Sequence, residues 1–253
     1  IEKLIYSLIQ PTESLLYDSN NVKRKRYNLT QNDHPILGVA HCDYVGNAWK
    51  VPTREGDNIV CGQVDDRVGV WLLLDILPKY LDFDVLLTTD EEIGQSTAED
   101  VTEPLLYNWT FQFDRRGTDV VDYEMASKKF RKAFARESGI QFGLGSFSDI
   151  CSLSSESGSK INIGTGYHNE HTPTAHVDLV ECYSQVAKFL KFAQKYKDIY
   201  FPQPKVERYS YSSFGFYKSK VPYKKDEVFS NIDLIRIEEE SYEKEKYESL
   251  LLE

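Results

Sequence analysis

The chain has 253 residues, is 41% hydrophobic and 28% charged, and carries a net charge of −10. That length holds one large core plus a tail, and the acidic balance excludes the basic footprint of a nucleic-acid binder. No apolar run reaches the roughly 18 residues of a membrane-spanning helix.

Strand and helix signals alternate along the chain, which points to a mostly parallel sheet with helices on both faces. The opening IEKLIYSLIQ is amphipathic, has acidic Glu2 and lacks a small-residue cleavage site. It reads as a short helix over 1–9 rather than a leader. The run PILGVAHCDYV (35–45) is a buried strand that ends in polar residues, and REGDN (54–58) is a turn. Residues 68–80 are apolar nearly all round, as in a deeply buried helix. DVLLT (84–88) is a strand that stops at a carboxylate cluster, and NWTFQF (108–113) is another that stops at Asp114. A basic helix over 127–138 ends at Gly139. A short strand over 160–163 leads to a His-rich loop. The last helix, 177–196, repeats Leu179, Cys182, Val186, Leu190 and Ala193 every three or four positions, a face for packing on the sheet. After about residue 200 the composition turns to Tyr, Ser, Pro and Lys and then to an acidic, helix-prone stretch ending in Leu250, Leu251 and Leu252. The expected organisation is a single catalytic domain over 1–200 and a C-terminal appendage over 201–253, for which packing on the domain, association of copies of the chain and partial disorder are the alternatives.

Cys42, Cys61, Cys151 and Cys182 form no C-x-x-C pair and are too few for a disulfide framework. They read as buried small hydrophobes in a reducing, cytoplasmic setting.

The residues with chemistry to offer sit where strands are expected to end: His41 to Asp43, Asp65 to Arg67, Asp90 to Glu92, Asp114, and His168 to His171. In open α/β sheets that rim is where ligands bind. A two-zinc hydrolase needs His nitrogens and carboxylates on each ion, one carboxylate shared between them, and a further carboxylate left off the metals to move a proton. The sequence offers that set in order. Taken singly, each group has an ordinary structural reading. His41 serves as a hydrogen-bonded histidine, Asp65 and Asp66 as a helix N-cap, Asp90 to Glu92 as a solvated acidic loop, and Asp114 as a salt-bridge partner of the following arginines. Their joint occurrence at successive strand ends is what favours a site.

The segments AHCDYVG, GQVDDRVGV, TTDEEIG, FDRRGTD and YHNEHTP are similar, in the same order, to the motifs of the co-catalytic zinc peptidases, a superfamily of aminopeptidases, carboxypeptidases and deacylases. The resemblance spans Ala40 to Pro173. It implies a three-layer αβα zinc-exopeptidase fold and two Zn²⁺ per chain, with Co²⁺ or Mn²⁺ as alternatives. It also implies His41 and Asp114 on the first ion, Glu92 and His171 on the second, Asp65 bridging both, Asp43 orienting His41, and Glu91 as general base and acid. The Asp65–Asp66 peptide bond is expected to be cis on the same ground. His168, Asp149 in the loop GLGSFSD, and Arg115 are the candidates for contact with substrate. The superfamily places an acidic residue shortly after the last motif's proline, whereas this chain has Thr174, Ala175 and His176.

The intervals from His41 to Asp65 and from Asp114 to His171 leave no room for an inserted domain of about 100 residues. The resemblance is therefore to the single-domain aminopeptidases, although the D-D-R-x-G and D-R-R-G wording is closer to the branches that carry insertions. The expected activity is removal of N-terminal residues from a peptide or small amide. Carboxypeptidase and N-acyl amide deacylase activities are alternatives on the same site, and a binding module without activity is an alternative of another class.

Overall fold

Runs of β-branched and aromatic residues build the sheet in the computed structural model, which describes residues 1–9, 15–16, 27–45, 52–153 and 157–204. Its strands are β1 (Asn28–Leu29), β2 (Ile36–His41), β3 (Thr53–Glu55), β4 (Asn58–Val60), β5 (Asp84–Thr88), β6 (Trp109–Arg116), β7 (Val120–Val121), β8 (Ser159–His168) and β9 (His176–Asp178). They lie in the order β1-β5-β2-β6-β8-β9-β4-β3, with β7 beside β8. The central β5, β2, β6 and β8 are parallel, and their register places His41 opposite Thr88, Val39 opposite Gln112, and Gln112 opposite Asn162. The carboxyl ends of these four strands therefore share one rim. The outer pairings are antiparallel.

Helices cover both faces, unequally. On one face α1 (Glu2–Ile9), α2 (Val64–Trp71), α3 (Lys128–Ser138) and α5 (Leu179–Tyr196) enclose the larger core. Its centre is aromatic: Trp109, Phe111 and Phe113 of β6 meet Phe189 and Phe192 of α5 at ring separations of 4.7–6.1 Å. The other face carries a smaller core of Leu37, Val39, Leu86, Ala98, Leu105, Tyr107, Ile150 and Leu153, under the turn Thr97–Asp100 and the short α4 (Asp149–Ser152). The result is the expected three-layer α/β domain.

Local chemistry sets the helix ends. Ser127 accepts from the Phe130 amide at 3.2 Å and opens α3, which Gly139 closes at φ 69°. Asp178 Oδ1 accepts from the Val180 and Glu181 amides at 2.8 and 3.0 Å and opens α5. The apolar stretch expected as one helix over 68–80 is instead α2, a π turn (Leu72–Ile76) and a 3-10 turn (Leu77–Lys79). Pro78 has no amide hydrogen to continue the α-helical ladder, and the chain changes register to accommodate it. The turn expected over 54–58 is the tip of the β3–β4 hairpin.

Gly69 lets α2 run against β6, because a Cβ there would lie 2.6 Å from the Phe113 carbonyl oxygen and collide with the Asp66 carboxylate. The glycine of the D-D-R-x-G segment is thus a packing requirement next to Asp114.

Residues 1–206 form one compact unit. Phe201 is buried against Phe130, Phe192 and Tyr196, and Gln203 Nε2 donates to the Ser157 carbonyl at 2.8 Å, so packing on this unit continues past residue 200. Residues 205–253, including Leu250, Leu251 and Leu252, lie outside the described residues. Among the described residues, no helix is long and apolar enough to cross a membrane.

Lys160 of β8 is 1% exposed, and its ammonium donates to the Ile150 and Leu153 carbonyls at 3.1 and 2.8 Å, tying α4 to the sheet. Burial pulls its pKa down from 10.5 to about 8. Below that value folded and unfolded chains are both protonated, and the fold bears the cost of a buried charge. Between about 8 and 10.5 the folded chain has released a proton that the unfolded chain still holds, so stability rises with pH. The slope is at most about 1.4 kcal/mol per pH unit. Urea unfolding from pH 8 to 10 is expected to show this rise in the wild type and a flatter profile in Lys160→Met.

Candidate metal centre

β2 delivers His41 to the rim as its last residue, with its side chain 1% exposed. Asp43, two residues on, holds the Nδ1 side of the ring through its carbonyl oxygen at 3.2 Å and its carboxylate at 3.4 Å. Asp43 also accepts from the Glu92 amide at 3.2 Å, which ties the β2 and β5 loops together. The opposite nitrogen, Nε2, faces Asp114 Oδ1 at 3.3 Å, Asp65 Oδ1 at 3.5 Å and Glu91 Oε2 at 4.0 Å. It is fully buried and makes no hydrogen bond among the described residues.

The second histidine approaches from the other side. Asn169 and His171 both have positive φ, 56° and 61°, uncommon for residues with a side chain. The resulting turn after β8 sets His171 Nε2 at 3.1 Å from Asp65 Oδ2 and 3.0 Å from Glu92 Oε2. Asp90, at φ 66°, and Gly94, at φ 71°, bracket the 3-10 turn Glu91–Ile93 that carries both glutamates. Asp65 therefore lies between the two imidazoles and turns one oxygen to each. Its peptide bond to Asp66 is cis, as expected.

These donors fit divalent ions. Ligand atoms about 2.0–2.2 Å from a tetrahedral Zn²⁺ sit roughly 3.3–3.6 Å from one another, and the separations of His41 Nε2 from Asp114 and Asp65 fall in that range. Ligand-capable atoms of His41, Asp65 and Glu92 all lie within 4.8 Å of one another, and so do those of His41, Asp66 and Asp114. The buried nitrogen of His41 and the Oε1 of Glu92, neither of which has a hydrogen-bond partner, are further donors of the required kind.

Charge makes the same case. Asp43, Asp65, Asp66, Glu91, Glu92, Asp114 and Asp149 crowd around two imidazoles. Burial pushes Glu91 and Glu92 up to about 7, helped by neighbouring carboxylates. Burial also drives Asp114 and Asp66 well above the usual carboxylate range. Burial opposes ionisation of Asp65 too, yet the neighbouring imidazoles of His171 and His41 outweigh it and hold that carboxyl well below its ordinary value. His171 is lifted to about 9, first by its hydrogen bond to Asp65. A cluster so short of positive charge suits cations.

The three substrate-contact candidates are each engaged with other groups of the chain. Asp149 is fully buried, bonded to the Ser96 hydroxyl and, at 3.0 Å, to Gln112 Nε2. Arg115 pairs with Asp119 at 2.5 and 2.7 Å and donates to the Leu144 carbonyl. His168 Nε2 lies 2.8 Å from Glu181, with its ring beside His176.

Residues not singled out from the sequence surround Asp114. Gln112 Nε2 donates to its Oδ2 at 3.0 Å, Asn162 bonds both its amide and its carbonyl, and the Tyr167 hydroxyl reaches Oδ1 at 3.4 Å. The available signal was alternation. In TFQFD the polar Thr110, Gln112 and Asp114 share one face while Phe111 and Phe113 share the other.

Fold and clustered residues together define an α/β protein with a His and carboxylate centre at the carboxyl rim of its parallel strands. No family model and no curated protein matches the sequence. Solved structures do match. An aminopeptidase from the archaeon Desulfurococcus kamchatkensis aligns over 68% of this chain and 83% of its own, at 15% identity and a TM-score of 0.50, which shows the shared fold. A protein titled endoglucanase from Thermotoga maritima aligns over 75% and 89% at 14% identity and a TM-score of 0.47. Aminopeptidase PepT from Bacillus cereus aligns over 76% and 91% at 11% identity and a TM-score of 0.46.

Proposed function

We propose that the protein is a two-zinc hydrolase of peptide or amide bonds, acting as an aminopeptidase. The observation that carries this reading is the division of Asp65, whose Oδ1 faces His41 and whose Oδ2 faces His171. With Asp114 on the first side and Glu92 on the second, each half offers an imidazole, a carboxylate of its own and one oxygen of a shared carboxylate. His41, Asp65 and Asp114 would hold one ion, and Asp65, Glu92 and His171 the other. Zn²⁺ in such a set supplies Lewis acidity toward water and the scissile carbonyl at neutral pH.

The chain's own groups do the rest. Asp43 fixes the His41 ring by engaging Nδ1, which leaves Nε2 to face the carboxylates. Glu91 stands at the edge of the cluster with its side chain 15% exposed. Its carboxylate takes a proton from the attacking water and returns it to the leaving nitrogen. The decisive experiment is metal analysis of the purified protein together with a screen of aminoacyl, carboxyl-terminal and N-acyl amide substrates. Zinc at two per chain with aminoacyl turnover supports the reading, and protein that binds no zinc rejects it.

The catalytic unit is further proposed to be independent of residues 207–253, because every group of the centre lies within the compact unit Ile1–Val206. A chain ending at Val206 is expected to bind two zinc ions and keep its turnover, while its elution on a sizing column shifts if the removed segment joins copies of the chain. Loss of metal from a folded truncated chain would place the removed segment at the site.

A further inference from the structure

On the reading of the centre given above, we infer that Gln112 is a positioning residue for the metal ligand Asp114, locked in place by Ser148 and coupled through Asp149 and Ser96 to the loop that carries Glu91 and Glu92. Gln112 is fully buried in the middle of β6. Its Nε2 donates at 3.0 Å to Asp114 Oδ2 and at 3.0 Å to Asp149 Oδ2, while its Oε1 accepts from the Ser148 hydroxyl. This settles the amide's orientation chemically. Turned over, it would set a carbonyl oxygen against the oxygens of the two carboxylates, Asp114 and Asp149, that it now donates to.

The consequence for Asp114 is a choice between its two oxygens. Oδ2 is engaged by the amide, and Oδ1 is the oxygen left facing His41 Nε2 at 3.3 Å. The backbone of Asp114 is held as firmly, because Asn162 Oδ1 accepts from its amide at 3.0 Å and Asn162 Nδ2 donates to its carbonyl at 2.8 Å. On the far side of Gln112, Asp149 bonds the Ser96 hydroxyl, and Ser96 closes the loop that begins at Asp90. Asp149 is therefore a strut between the two glutamates' loop and the strand bearing Asp114, rather than a group that meets substrate.

The test is zinc affinity measured by chelator competition, with the absorption spectrum of the Co²⁺-loaded protein as a second readout. Gln112→Met keeps the volume and removes both amide contacts. It is expected to weaken one of the two ions about 10–100-fold, the usual loss for a partner of a metal-bound carboxylate, to leave the other ion unchanged, and to shift the Co²⁺ spectrum. Ser148→Ala, which unlocks the amide with the loss of one hydroxyl, should weaken the same ion by less and decides the matter if Gln112→Met does not fold. Wild type that binds no zinc overturns the metal centre and this inference together. Wild type that binds two ions, with a folded variant that binds both as tightly and gives an unchanged spectrum, overturns this inference alone.

Discussion

Glu91→Gln is expected to lower kcat about 10²–10⁴-fold while zinc content and the melting temperature of the loaded protein stay at wild-type values. The two adjacent glutamates differ in where the 3-10 turn points them. Glu92 Oε2 lies 3.0 Å from His171 Nε2, and its amide is pinned by Asp43. The nearest histidine nitrogen to Glu91 Oε2 is that of His41, at 4.0 Å. Glu92 thus sits inside the ligand cluster and Glu91 beside it, where a carboxylate can exchange a proton with water. Glu92→Gln should therefore weaken the ion on the His171 side, and the paired variants separate the two roles by zinc analysis and steady-state kinetics. Wild-type turnover in Glu91→Gln would assign the base elsewhere.

The cluster was legible in the sequence because its histidines and carboxylates sit at strand ends, where an apolar run stops abruptly at a polar residue. ILGVAH, DVLLT followed by Thr89 to Glu92, and TFQFD each announce both the strand and the site. The supporting shell was not legible to the same degree. Gln112 and Asn162 lie in the buried stretches of their strands, and only the register of β6 on β8, which places them opposite each other, shows that they meet at Asp114. Asp149 was expected to face a pocket from a Gly-rich loop, but its burial depends on Ser96 and Gln112, far away in sequence. Arg115 found a nearby carboxylate in Asp119, a local competitor that spacing alone does not rank above a substrate. The π turn after α2 was hidden for a different reason. An apolar run has the same composition whether its ladder is α or π, and the effect of Pro78 on the turn before it is set by packing.

Asp65→Asn is expected to take zinc binding from two ions per chain to at most one held weakly, and turnover to background. Among the described residues, the carboxylate is the one group that faces both imidazoles, at 3.5 Å from His41 and 3.1 Å from His171. An amide keeps the shape but gives up a charge and presents NH₂ to one of the two sides. The loss of stability should be larger with metal than without it. The imidazoles of His171 and His41 hold the Asp65 carboxyl well below its ordinary value, so its charge stabilises the metal-free fold near neutral pH and the metal-free variant should melt somewhat lower than metal-free wild type. Zinc bound only by the folded chain stabilises it by about 2.7 kcal/mol when present at a hundred times its dissociation constant, and the variant should lose most of that gain. Thermal unfolding of both proteins, with zinc and with chelator, measures all four states. A variant that still binds two ions and melts higher with zinc as wild type does would show that another group joins the two halves. Glu91 and Asp66 would then be the next carboxylates to remove.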